Sequence, residues 1–320
     1  MGARRRRRRA ARRARGGGAV SAARLERWVE ADDGTRLYYS VSGEGPVDIL
    51  LCDGIGCDGF IWVYLQPYLE ELGRVIHLHM RGHGRSEEPR DAARVGVPDL
   101  ARDWEVVRAA EGAARPVVAL GHSMGVQVAL ELRHRAPAWG WRGLALLCGT
   151  FEHPAANFHD TQMLERVLPL LQRGADLGGA ALERVWRRLV NFPLAVQFAQ
   201  LTEVSPDLTR KRDIERYLKH LGRMKPRTFL ATLSAASRHS ARSYLGELHT
   251  PALIIAGERD TFTPARLSVE MAALLPKAEL VVVEGGTHVT PIEHTIEVNQ
   301  RVRQWLAASA QLGASGGSSP

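Results

Sequence analysis

Six short, almost wholly apolar runs recur along the chain: Val47–Cys52, Arg74–Leu78, Val117–Leu120, Leu144–Cys148, Leu253–Ala256 and Leu280–Val283. Runs of this length without polar alternation fit strands buried on both faces of a parallel sheet. Stretches with helical periodicity separate them, among them Asp99–Ala110 and Val126–Arg135. Ahead of the first run, Trp28–Glu30 and Thr35–Val41 read as two strands joined across Asp32-Asp33-Gly34, a hairpin signal. Strand–helix alternation predicts an α/β fold with a doubly wound, mostly parallel sheet and right-handed crossovers.

One interval breaks the rhythm. Residues 151–245 hold no convincing buried strand but several helical stretches, such as Met163–Leu171, Leu182–Val190 and Asp213–Leu221. They read as a helical insertion, a cap, between the sixth and seventh principal strands. The division expected is a tail over 1–24, a core over 25–150 and 246–310, the cap over 151–245, and a Gly/Ser-rich tail over 311–320.

The candidate chemistry sits at the carboxyl ends of the apolar runs, where open α/β sheets bind ligands. Val117–Leu120 leads directly into Gly121-His122-Ser123-Met124-Gly125, followed by a helix. This is G-x-S-x-G in its strand–turn–helix context: a sharp turn lifts the serine hydroxyl clear, and glycines avoid collisions around it. The helix behind Ser123 aims its free N–H groups, that of Met124 among them, at an oxyanion formed there. Asp260 follows Leu253–Ala256, and His288 follows the run ending at Val283. The order Ser123, Asp260, His288 suits nucleophile, orienting acid and base. His294 is an alternative base and Glu152 an alternative acid. His122 reads as packing or hydrogen bonding within the elbow.

On these residues the chain resembles the α/β-hydrolase superfamily, in its capped branch of esterases, haloperoxidase-like enzymes, C–C bond hydrolases and epoxide-hydrolase relatives. The match covers roughly residues 26–150 and 246–308. Met80-Arg81-Gly82-His83-Gly84-Arg85-Ser86 is similar to the family's R-G-x-G-x-S loop, and Pro291-Ile292-Glu293-His294 to its segment after the catalytic histidine. The resemblance implies an eight-stranded sheet and a second oxyanion donor, the backbone N–H of Ile55, beside that of Met124. Asp53 stands where the family usually has histidine. It is expected to turn away from the site and bond to the loop backbone, as Asp side chains often do. Cleavage of a carboxylic ester of a small to medium apolar substrate through an acyl-enzyme is the activity implied. C–C bond hydrolysis, cofactor-free perhydrolysis and acyl transfer share the triad, and a ligand-binding protein without turnover is a further reading. Ser123 argues against epoxide hydrolysis and dehalogenation, which need a carboxylate at the elbow.

Charge changes the picture less than its total suggests. The sequence pI is about 9.8, yet the first 24 residues hold ten Arg and no acid, which exceeds the whole chain's net charge of +8. The body is therefore slightly acidic, and no specific nucleic acid is expected as partner. The tail is expected to be disordered, with weak contact to an anionic surface through residues 4–15 as the alternative. It lacks the apolar stretch of a secretory signal. Within the cap, a balance of +6 either favours an anionic substrate or reflects solvated helix faces. Trp186, Phe192, Phe198 and Phe229 either line an acyl pocket or form cap core. Cys52, Cys57 and Cys148 include no C-x-x-C pair, and the histidines show no H-E-x-x-H. Reduced, buried thiols in a cytoplasmic enzyme needing neither metal nor cofactor are the expectation.

Overall fold

The computed structural model describes residues 24–158, 161–190, 205 and 208–308. The two expected tails, apart from Arg24, lie outside the described residues, as do Phe192 and Phe198.

The strands are β1 (Leu25–Glu30), β2 (Arg36–Ser42), β3 (Asp48–Cys52), β4 (Arg74–Leu78), β5 (Val117–His122), β6 (Trp141–Leu147), β7 (Ala252–Gly257) and β8 (Ala278–Val283). They form one eight-stranded sheet in the order β1-β2-β4-β3-β5-β6-β7-β8. β2 pairs antiparallel with both β1 and β4, and every other pairing is parallel. The β1–β2 turn is closed by Asp33, whose Oδ1 accepts the Thr35 N–H at 3.0 Å, with Gly34 at φ 78°.

Period-two alternation explains the apolar runs. Leu50, Val117, Ala119, Leu146 and Ile254 face one core, with Trp104 and Leu130 from the helices Val97–Ala110 and Met124–Arg135. Ile49, Leu51, Val118, Leu120 and Ile255 face the other, against Trp62 and, from helix Thr295–Ala308, Val302 and Trp305. Neither face of β3, β5 or β7 meets water, so neither carries a polar stripe. β8 differs from expectation. As the edge strand it has one neighbour and stays partly open to solvent, with Val282 45% exposed.

Between β6 and β7 the described elements are helical: Pro154–Asn157, Met163–Val190, Lys211–Leu221, Pro226–Arg238 and Arg242–Leu245. The expected helices Met163–Leu171 and Leu182–Val190 fall in one helical stretch broken at Gly179, where φ is 46° and ψ −143°. No described helix is long and apolar enough to cross a membrane.

The chain runs from β3 outward to β4 and then returns across β3 to β5. The sheet's topological reversal therefore lies between β3 and β5, and a crevice opens at their carboxyl ends.

Candidate active site

β5 passes through Ser123 into helix Met124–Arg135, and Ser123 takes φ 56° and ψ −123°. A non-glycine residue there is strained by about 1–3 kcal/mol and is held by its surroundings. The flanking glycines are required by close approach. A Cβ at Gly121 would overlap the Gly125 carbonyl, and one at Gly125 would overlap the Cys52 carbonyl at the end of β3. The elbow is thus wedged between neighbouring backbones, and Ser123 is pushed outward.

Two later strand ends supply its partners. His288 Nε2 lies 2.9 Å from Ser123 Oγ. His288 Nδ1 lies 2.9 Å from Asp260 Oδ2 and 3.1 Å from its Oδ1. Asp260 is buried and its remaining capacity is filled: Oδ1 accepts the N–H groups of Phe262 (2.9 Å) and Thr263 (2.8 Å), and Oδ2 accepts the Thr263 hydroxyl at 2.8 Å. Those donors fix the direction of the carboxyl group, so the imidazole is held with Nδ1 toward Asp260 and Nε2 toward the serine. The Phe262 ring packs on His288 with centroids 4.8 Å apart.

His122 does not enter this chain. Its Nε2–H donates to the His288 carbonyl at 2.9 Å, and burial lowers its pKa to about 3, so the ring stays neutral and braces the His288 loop. Glu152 is committed to Ser240 and Arg242. His294 has no hydrogen bond to Ser123 or Asp260, and its Nε2 is buried without a partner among the described residues.

A cavity of about 370 Å³ opens over Ser123 and His288. Its wall is mainly apolar, with Ile55, Phe60, Met124 and Phe262 from the sheet side and Ile214, Phe229 and Leu233 from the β6–β7 helices. Phe229 therefore lines the pocket, while Trp186 packs behind it, ring centroids 5.6 Å apart. Ile55 and Met124 both line the cavity, and among the described residues neither backbone N–H donates to a protein group.

The sequence matches the family described as alpha/beta hydrolase fold over residues 49–295. The chain belongs to the α/β-hydrolase family. Over 281 residues this hydrolase is 29% identical to the pimeloyl-acyl-carrier-protein methyl ester esterase of Methylococcus capsulatus, covering 85% of this chain and 99% of that one. The same-named esterase of Xanthomonas oryzae pv. oryzae is 27% identical over 294 residues, again covering 85% and 99%. Among solved structures, the enol-lactonase of Burkholderia xenovorans LB400 superposes with a TM-score of 0.71 at 20% identity, covering 88% of this chain and all of that one. That last likeness is one of fold.

Three features of this α/β-hydrolase went unread in its sequence or were read incompletely. Asp53 does turn away from the site, as expected, but not onto the loop backbone. It is 0% exposed, accepts Trp62 Nε1–H at 2.6 Å and faces His77 Nε2 at 2.8 Å. Burial alone would raise its pKa; its contacts with His77 and Trp62 hold it below the ordinary value. Thr263 was not singled out, although Asp-x-x-Thr is a recognisable local turn pattern. Glu293 accepts the Thr287 N–H and hydroxyl (3.0 and 2.9 Å), the Ser205 N–H (2.7 Å) and the Thr209 hydroxyl (3.1 Å). It ties the loop bearing His288 to the segment between β6 and β7, a link no local signal carries.

Proposed function

We propose that this hydrolase cleaves a carboxylic ester of a small to medium, largely apolar substrate through an acyl-enzyme on Ser123. The observation that carries the reading is the continuous chain Ser123–His288–Asp260, with contacts of 2.9 Å on each side of the imidazole, beneath an apolar cavity. His288 takes the Ser123 proton as Oγ attacks the ester carbonyl, and Asp260 stabilises the imidazolium. The N–H groups of Ile55 and Met124 receive the oxyanion, at the N-terminus of a helix. His288 then passes its proton to the leaving alcohol and activates water to release the acid. Residues 151–245 act as a cap on a core formed by 25–150 and 246–310, and shape the acyl pocket.

The test is a panel of p-nitrophenyl and methyl esters of graded chain length, including a dicarboxylic monomethyl ester in view of the named esterase relatives. Ser123→Ala is expected to lower kcat/KM at least about a thousandfold and to abolish labelling by a fluorophosphonate. Undiminished labelling of that variant would refute the assignment.

A further inference from the structure

Large apolar side chains stay exposed along one helical stretch between β6 and β7, Met163–Val190: Met163, Leu170, Leu171, Leu177, Val185 and Leu189. Helical spacing orders them. Met163, Leu170 and Leu177 stand seven residues apart and form one row, 71%, 65% and 89% exposed in that order. Arg166 and Arg173, each four residues before a leucine of that row, form an exposed row beside it. Leu164 and Leu168 turn inward, Leu164 onto the cavity wall. Glu165 and Asp176 fall about a third of a turn away from the leucines, and Asp176 is paired with Arg227 at 2.8 Å. Past the break at Gly179 the pattern recurs. Val185 and Leu189 lie four apart in an exposed row, with Arg184 and Arg188 in the row beside them.

Apolar side chains this exposed, clustered on one element, mark a surface that meets a partner. A helix with leucines in one row and arginines beside it suits a membrane interface, where the leucines enter the acyl region and the arginines meet anionic headgroups. Such a helix lies on the surface and does not cross it, and no described helix is long and apolar enough to cross. A second copy fits less well, because a two-fold contact would bring the same cations onto the same patch. We propose that the outer side of Met163–Val190 docks on an anionic lipid surface, with Leu170 and Leu177 in the acyl region and Arg166 and Arg173 against headgroup phosphates.

The experiment presents the full chain with phosphatidylglycerol vesicles, phosphatidylcholine vesicles and soluble polyglutamate. The three native cysteines are buried, so an environment-sensitive fluorophore attached in Leu177→Cys reports on the row. One attached in Glu71→Cys, just before β4, reports on a surface outside it. Phosphatidylglycerol vesicles should blue-shift the first label and leave the second unmoved. No shift at position 177 overturns the proposal, because residues 4–15 can hold the chain at a vesicle by charge without burying that position. In cosedimentation, Leu170→Ser with Leu177→Ser should weaken binding about tenfold or more. Arg166→Gln with Arg173→Gln should cut the preference for phosphatidylglycerol over phosphatidylcholine about tenfold. The Arg-rich tail is common to all variants, so the differences read the helix. Unchanged binding in the serine pair, or an unchanged preference in the glutamine pair, overturns the proposal. A shift that grows with protein concentration without lipid assigns the row to a second copy, and one that polyglutamate reproduces assigns it to an acidic polypeptide; either overturns it.

Discussion

Replacing Asp53 by alanine tests how the oxyanion loop is held. The carboxylate is fully buried and meets two buried donors, Trp62 Nε1 at 2.6 Å and His77 Nε2 at 2.8 Å. Deleting it strands both, and each orphaned donor costs about 1–3 kcal/mol. Two such donors put the loss at about 4 kcal/mol. Asp53→Asn keeps an acceptor for Trp62 and a polar contact for His77, and should lose less than half as much. Activity should follow, because the next residue, Gly54, is wedged against the nucleophile: a Cβ there would stand 2.9 Å from Ser123 Cβ. A loosened loop would misplace the Ile55 N–H, the oxyanion donor we propose, and loss of one such donor costs about a hundredfold in kcat. Urea unfolding of wild type, Asp53→Asn and Asp53→Ala, with ester kinetics on each, reads both effects. An alanine variant within about 1 kcal/mol of wild type would refute the account of Asp53 as the anchor of this loop.

Three further outcomes follow from the same geometry. Gly125→Ala should lower stability by about 2–3 kcal/mol and collapse fluorophosphonate labelling, since the new Cβ overlaps the Cys52 carbonyl; a wild-type melt with full labelling would contradict the wedge. Thr263→Val removes the 2.8 Å hydroxyl bond to Asp260 Oδ2 and should reduce kcat about tenfold with little change in KM, because it acts on a carboxylate already oriented by two N–H groups. Burial lowers the pKa of His79 to about 2, His83 to about 4 and His122 to about 3. These rings are neutral when folded and titrate at their ordinary value when unfolded, so their contribution is intact above about pH 6.5 and is lost as pH falls below it. Each adds a slope of about 1.4 kcal/mol per pH unit. Urea midpoints should fall between about pH 7.5 and pH 5.5, and His83→Gln should flatten that slope by about half a proton on average over the range; an unchanged slope would count against a neutral buried His83.

The sequence carried those parts of the molecule that local rules write. A strand buried on both faces must be apolar at every position, so β3, β5, β6 and β7 stood out as runs. The elbow was legible because Gly121 and Gly125 are demanded by backbone approach rather than by chemistry, and because Ser123 lies between a strand and a helix. The edge strand β8 was found for its apolar residues, yet its exposure was not, because a strand's place in the sheet order is a property of topology. The order places β8 last, with β7 as its one neighbour.

What stayed hidden is pairing between side chains far apart in sequence. Asp53 looked like a loop residue free to cap its own backbone, a local solution. The fold offers a better one, because β4 lies beside β3 and brings His77 next to the loop, while the turn Phe60–Trp62 folds back over it. Hydrogen-bond networks of this kind recur: Glu293 joins the His288 loop to residues 205 and 209, and Glu131 reaches Gln127 through His239. In both cases the link ties the sheet and its helices to the segment between β6 and β7. What fixes each of these groups is therefore a partner that the fold brings near, not one that the chain places within a few residues of it.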